Sequence, residues 1–560
     1  MSGTCTWDII IAAQPVTFRI GRGPYKYRVT ISNAIALASR EFTKEYEFVI
    51  VGAGSAGCVL ANRLSEGHSV LVIEAGPLSA PANSVIPALA PSLIGSAVDW
   101  KYMSVPQPGL LGRPLLMPHG FVVGGSSTIN GLLWTRGDPS DFDGWAQNGA
   151  PGWSYSKLEP YFRRVERFTD GGAPHLGTSG PLFIQNRRGH GVNPAALDFV
   201  AAAQARGHRS VFDFNGPEGA AGAGVATVNV HDDRRFGARE GYLEPALKRD
   251  SLKLWPDSRA TRLNFVGNRC VGVTVLRDGG TIEVRASREV ILSASCVESP
   301  KLLMLSGVGP EGHLKELGIP VQHALPGVGG NFHDHASVGF QFKSAREVPL
   351  TNYVFDSALF FRSEPDWVGA DLEALFYVQG FANGKFGAGL GMRVGLLRPI
   401  SRGTIRLRSR DPMDSPFLDP RVLSVESDLH RLASGVRESL SVAATAPLDR
   451  WISGLDTQDL RPMGGSDGSL RADMDDSKMS AWLRANVQTF AHMAGGCRMG
   501  LDENAVVSPH LKVHGMEGLR VVDISIMPAV VSGHSQAAVM AIAERASDLI
   551  LGKTPSASTG

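Results

Sequence analysis

Cysteine is scarce in this chain and poorly placed for pairing. Cys5, Cys58, Cys270, Cys296 and Cys497 are odd in number, and none stands in a Cys-x-x-Cys pair. That argues against a disulfide framework and a zinc site and favours a reduced, cytoplasmic setting. An excess of either charge is missing too: 55 Lys and Arg face 54 Asp and Glu, so no polyanionic partner is implied. With no long basic run and no aromatic-basic interleaving, nucleic acid is set aside. No apolar segment approaches the roughly 18 residues that span a bilayer, so no integral membrane segment is expected. No internal repeat is visible, and low complexity is confined to Thr554–Gly560. The remaining composition, 43% hydrophobic and 19% charged over 560 residues, is that of a globular protein long enough for two or more domains.

The strongest local pattern is Phe48-Val49-Ile50-Val51-Gly52-Ala53-Gly54-Ser55-Ala56-Gly57, followed by Leu71-Val72-Ile73-Glu74. It reads as an apolar strand, a Gly-x-Gly-x-x-Gly turn, a helix and a second strand ending in an acid. Gly52 suits the tight turn, Gly54 a close pyrophosphate, and Gly57 close packing of the helix on the sheet. The helix start at Ser55 and Ala56 offers unpaired N–H groups and a positive dipole end to phosphates. Glu74, 17 residues past Gly57, stands where a carboxylate accepts from ribose hydroxyls. This predicts a dinucleotide site and leaves NAD and FAD both open.

Residues 1–40 carry Arg19, Arg22, Lys26, Arg28 and Arg40 against one acid, Asp8. The segment has few serines and alternates like strands at Val16–Ile20 and Tyr27–Ile31, so an added strand pair or an overlong gene start fits better than a transit peptide. After the first unit come a Pro-rich stretch, Pro77–Pro118, and a Gly/Ser turn at Gly124-Gly125-Ser126-Ser127. Asn193-Pro194 predicts a capped helix running to Ala205. Residues 252–263 and 270–292 read as strands, with a hairpin at Gly279-Gly280. Pro300 opens an expected helix Lys301–Leu305, stopped by Gly307 and Gly309. Further helices are expected at Val425–Leu440 and Ala537–Leu551, the latter closed by Gly552. With no second nucleotide fingerprint in the middle third, one cofactor domain assembled from separated segments, with a substrate domain inserted, is the expected organisation.

Several ordered blocks between residues 47 and 552 resemble the glucose–methanol–choline (GMC) oxidoreductases, which bind FAD. Gly124-Gly125-Ser126-Ser127-Thr128-Ile129-Asn130-Gly131 with Trp134-Thr135-Arg136-Gly137 is similar to the first family signature. Arg288–Ala294 with Ser299-Pro300 and Leu305–Gly309 is similar to the second. Pro326-Gly327-Val328-Gly329 with Asn331, Asp334 and His335, then Arg398–Gly403, then Leu519–Asp523 with Met527-Pro528 and Ala541–Arg545 complete the likeness. The resemblance implies an α/β protein: a Rossmann-like FAD-binding domain with an inserted substrate-binding domain on an antiparallel sheet. It divides the chain into an extension 1–45, a mainly FAD-binding part 46–330 that includes some substrate-domain segments, a substrate domain 331–484, a return 485–552 with the catalytic histidines, and a tail 553–560. FAD contacts are implied at Gly52, Gly54, Ser55, Ala56, Gly57, Glu74, Ala75, Trp100, Val123, Gly125, Asn130, Gly131, Leu132, Ala260, Ala491, Asp523, Ile524 and Gln536. Gly120-Phe121 stands where Gly-Arg is usual, and Ser295-Cys296 where Gly-Ala is usual. Ile129 occupies the position from which some members attach FAD through histidine, so non-covalent FAD is expected.

His492, in His492-Met493-Ala494-Gly495-Gly496-Cys497-Arg498-Met499-Gly500, is similar to the family block whose histidine takes the substrate's hydroxyl proton. His534 falls where the family has its second catalytic residue, His or Asn. Alcohol oxidation removes a proton from oxygen and a hydride from carbon. The flavin is the electron sink, and an imidazole with a pKa near 6.5 is a natural base. His333, Asp334 and His335 look superficially like metal ligands, but a His-x-His pair is more often structural, and no metal is expected. The expected activity is oxidation of a primary alcohol (aromatic, furanic or aliphatic non-sugar) to the aldehyde, with O2 or an electron carrier as acceptor. The alternatives are a choline-type dehydrogenase using a carrier, or a member like the hydroxynitrile lyases that keeps FAD without redox chemistry. A non-catalytic flavin binder is disfavoured by the intact histidine pair.

Overall fold

The computed structural model describes residues 44–170, 173–187, 191–217, 219–382, 385–456 and 469–553, together with the strands Thr17–Ile20 and Tyr27–Thr30. Those two strands pair antiparallel. Val16, Ile31, Cys5 and the Thr554–Gly560 tail lie outside the described residues.

Two seven-stranded sheets organise the molecule. In the first, the strands Leu252–Trp255, Val70–Ile73, Lys44–Val51 and Gly280–Leu292 run parallel in that order, and Leu519–Val521 adds a further parallel partner to Gly280–Leu292. Phe48 to Ile50, Val70 to Val72 and Val290 to Leu292 are fully buried. Unbroken apolar runs of this kind are what parallel strands covered on both faces require. The helices Ser55–Leu64 and Gln536–Leu551 pack together beside them. A meander of Arg259–Val266 and Arg269–Arg277 completes the sheet against the first half of the 13-residue strand Gly280–Leu292.

Two local expectations need correction. Residues 252–263 are not one strand. Pro256 removes a donor, and Asp257 adopts φ +49°, so the chain crosses the end of the sheet and puts Leu252–Trp255 at one edge and Arg259–Val266 at the other. The helix expected at Lys301–Leu305 instead spans Ser295–Leu305, with Pro300 inside it. Its first turn is held from far away: Ser295 N donates to Asp523 Oδ2 at 2.9 Å and Ser299 Oγ to the same oxygen at 2.6 Å. A carboxylate from another segment thus does the work of a local cap, which no short window of sequence displays. The other expected helices fall at Pro194–Ala205, capped by Asn193, at Glu426–Ala443, and at Gln536–Leu551, ending in left-handed Gly552.

The second sheet is antiparallel, in the order Ile452–Leu455, Ala336–Ser344, Lys385–Leu396, Leu372–Ala382, Ser357–Phe361, Gly222–Val225, with Gln488–Thr489 beside Ala336 and Ser337. Two of its strands thus lie outside 331–484. Alternation divides its faces. Leu372 and Val394 meet Gly435 of the helix Glu426–Ala443, while Gly339, Gln341, Tyr377 and Arg393 look into a cavity shared with the first sheet. Among the described residues no helix is long and apolar enough to cross a membrane.

Candidate active site

The glycine turn has the geometry its spacing requires. Gly52 sits at φ +104°, and a Cβ there would stand 2.4 Å from the Ser293 carbonyl oxygen; a Cβ on Gly57 would stand 1.9 Å from the Gly52 oxygen. Around Gly54, by contrast, no atom lies within 4 Å of a Cβ position. The helix that follows has no side-chain cap and no acid in its first turn, which leaves its N–H groups for an anionic ligand. Glu74 ends the next strand. Its Oε2 accepts from Ala53 N and its Oε1 from Gly76 N, both at 2.8 Å. Burial raises its pKa to about 7 against the pull of those donors. The two N–H groups fix the carboxylate at the edge of the cavity.

That cavity, about 920 Å³, runs from the glycine turn to the histidines. Of the eighteen positions expected to hold FAD, all but Gly57 and Val123 lie on its wall. Gly57 acts through packing, and Val123 is fully buried, its N–H donating to Pro77 O. Asn130 and Gln536 are hydrogen-bonded to each other across the wall, and Arg235 donates to Asn130 Oδ1 at 2.7 Å and to Asn130 O at 2.6 Å. Phe121, where the family has arginine, meets the cavity-lining Trp100 edge-on at 4.6 Å. Ile129 on the wall presents only a hydrocarbon side chain. An elongated cleft with bare helix N–H groups at one end fits a dinucleotide.

At the other end the imidazoles form a chain. His335 Nδ1 lies 3.0 Å from His492 Nδ1, and His492 Nε2 lies 3.3 Å from His534 Nδ1. His534 Nε2 lies 3.3 Å from Glu373 Oε2. Phe490 stacks on His492 at 5.2 Å and 6°. His492 N donates to Asp334 Oδ1 at 2.9 Å, Thr489 Oγ1 donates to the same carboxylate, and His534 N donates to Thr135 Oγ1 at 2.7 Å. Burial drives the His492 pKa well below its ordinary value, helped by His534, His335 and Arg393. The sequence-based expectation of a pKa near 6.5 is corrected accordingly: desolvation penalises the imidazolium. Burial likewise lowers His335 to about 3 and raises Asp334 to about 7.

The His333-Asp334-His335 block divides between two tasks. His333 accepts from Val530 N at 2.9 Å and faces Asn331 O at 2.6 Å, a structural role, while His335 braces His492. Among the described residues no group of His, Cys, Asp or Glu is arranged to hold a metal. Sequence reasoning passed over His335, Glu373, Phe490 and Arg393 as site residues. The available signals were isolated charges in apolar strands, Glu373 in Leu372–Ala382 and Arg393 in Lys385–Leu396, and they said nothing about their partners.

A Rossmann-type dinucleotide cleft that opens onto buried imidazoles defines the class, a dinucleotide-dependent oxidoreductase. Comparison with known proteins narrows it. Residues 46–337 and 399–543 match the N- and C-terminal models of the family described as GMC oxidoreductase. The chain belongs to this family and is an FAD-dependent oxidoreductase acting on CH–OH donors. It is 37% identical over 546 residues to an oxygen-dependent choline dehydrogenase of Brucella suis, covering 91% of this chain and 96% of that one. It is 36% identical over 562 residues to the human mitochondrial choline dehydrogenase, covering 93% and 92%. Among solved structures it is similar to pyridoxine 4-oxidase from Mesorbium loti, with a TM-score of 0.84, 30% identity and coverage of 91% and 99%. A formate oxidase is similar at a TM-score of 0.81 and 25% identity, with coverage of 92% and 99%.

Proposed function

We propose that the protein oxidises a primary alcohol, aromatic, furanic or aliphatic but not a sugar, to the aldehyde, with His492 as base and His534 holding the hydroxyl. The observation that carries this is the pinning of His492 Nδ1 by His335, which turns Nε2 toward His534 and the cavity. The role requires the tautomer whose Nδ1–H donates to His335, so that Nε2 keeps its lone pair. The depressed pKa of His492 keeps that nitrogen unprotonated at neutral pH. His492 Nε2 and His534 Nδ1 face each other at 3.3 Å, so a hydroxyl seated beside them meets the base and its neighbour together. When bound, FAD supplies the hydride acceptor. The stacked Phe490 excludes water from the base.

FAD is held without a covalent bond in this reading, since Ile129 has no nucleophile. The enzyme is cytoplasmic in this reading, in keeping with the buried, unpaired cysteines among the described residues, and O2 or a carrier reoxidises it. In a second reading the protein is a choline-type dehydrogenase with a carrier acceptor; the names of the sequence relatives favour the choline part of it and leave the carrier to the test. Anaerobic mixing of the FAD-loaded protein with an alcohol panel tests the redox role. Bleaching by an alcohol is expected, and a lyase-like member would leave the colour unchanged. Denaturation should release the flavin intact; colour that stays with the precipitated chain would refute the non-covalent reading.

A further inference from the structure

At the catalytic end of the cavity Arg393 lies on the wall beside the imidazoles, while the carboxylates that act on it, Glu373 and Asp334, are buried behind the wall. Arg393 stands opposite Gly339 and Leu375 in the antiparallel sheet, on the face turned to the cavity. Nε donates to Ser337 Oγ at 3.2 Å and Nη2 to Thr489 O at 2.8 Å. These bonds fix the plane of the fork. Nη1 makes no hydrogen bond among the described residues, and the partly uncovered side chain shows its remaining surface to the cavity. Glu373 is fully buried and lies against His534, off the cavity wall.

One ring links Arg393 to the reacting nitrogens. Phe490 carries the guanidinium 4.9 Å from its centroid and stacks on His492 at 5.2 Å. That aromatic ring is therefore already engaged by a guanidinium and an imidazole, which limits what it offers to a cationic ligand. Phe355 and Tyr377 add apolar wall. A guanidinium stays charged across the working pH range and prefers a planar oxyanion, to which it gives short, charge-assisted hydrogen bonds. A quaternary ammonium here would meet a like charge in a site screened from water.

We infer that the alcohol oxidised by this enzyme carries a carboxylate at the end remote from the reacting hydroxyl, and that Arg393 Nη1 binds it. The inference rests on the alcohol-oxidation reading and sets this chain apart from a choline-type substrate preference. Arg393 is thus a specificity residue that touches the substrate's far end.

The test compares benzyl alcohol, 4-(hydroxymethyl)benzoate and 4-(trimethylammonio)benzyl alcohol by anaerobic flavin reduction in the FAD-loaded protein. The carboxylate should be used at least tenfold more efficiently than benzyl alcohol, and the cation at least tenfold less. Arg393→Gln should erase the carboxylate preference, and Arg393→Lys should keep part of it. Because Arg393 also ties Ser337 to Thr489, either variant could misfold. Titration calorimetry of the unmodified holoenzyme with benzoate and with benzyltrimethylammonium avoids that problem, and benzoate should bind at least tenfold more tightly. Equal binding, or preference for the cation, overturns the inference. If benzyl alcohol bleaches the flavin and the carboxylate is no better, the Arg393 assignment falls alone. If no alcohol of any charge bleaches it, the alcohol-oxidation reading falls, and this inference with it.

Discussion

Replacing His492 by alanine removes the nitrogen that the site presents to the hydroxyl while sparing what holds the loop. The backbone N–H of residue 492 still donates to Asp334, and His333 remains tied to Val530. Loss of a general base slows the step by about 10²- to 10⁴-fold, or about 3 to 5.5 kcal/mol of barrier. The pH profile carries a second signature. The folded pKa of His492 is depressed well below 6.5 by burial and by the neighbouring His534, His335 and Arg393. The base form is therefore complete through neutral pH and is lost only as pH falls through that lowered value. Anaerobic stopped-flow reduction should be flat between about pH 6.5 and 8 and decline on the acid side, and the decline should vanish in His492→Ala. A variant that reduces its flavin at the parent rate would refute the base assignment and move it to His534. A parent profile that rises through pH 6.5 would refute the claim that burial holds His492 neutral.

Other substitutions separate the remaining roles. His534→Asn should be milder than His534→Ala in the same stopped-flow assay, because the amide can still hydrogen-bond the hydroxyl; equal losses would deny His534 a hydrogen-bonding role. Glu74→Ala should weaken FAD retention by about 10- to 100-fold, the equivalent of about 1.5–3 kcal/mol for hydrogen bonds to a charged group; unchanged retention in ultrafiltration would place the ribose elsewhere. The raised pKa of Glu74, about 7, means that its ionised, accepting form dominates above that pH. FAD retention should therefore be full above pH 7 and fall by up to about tenfold per pH unit below it, a dependence absent from Glu74→Ala. Ser295 holds φ +76°, a left-handed conformation that costs an L-residue about 1–2 kcal/mol. Ser295→Gly should accordingly raise stability by up to about 1 kcal/mol net of glycine's entropy, seen as a small rise in the thermal midpoint; a fall would show that the hydroxyl is needed.

Those contacts whose chemistry is written in adjacent residues were legible from the sequence. The glycine turn, the strand before it and Glu74 after it form one continuous unit, and each residue's part follows from steric and dipole effects acting over a few residues. The capped helix Pro194–Ala205 and the left-handed stop at Gly552 are local in the same sense. His492 and His534 came from longer blocks, through resemblance to a family. What only the tertiary structure decided is who stands next to them. His335 and His492 are 157 positions apart, and Asp523 caps a helix that starts 228 positions earlier. Arg393 and Glu373 reach the site because strand alternation turns them to the cavity side of a sheet whose register is set by many distant pairings. Local propensity acts over one or two turns of chain, whereas desolvation and charge act through space. The neutral state of His492 is set by buried neighbours from other strands, and only the folded chain brings them within range.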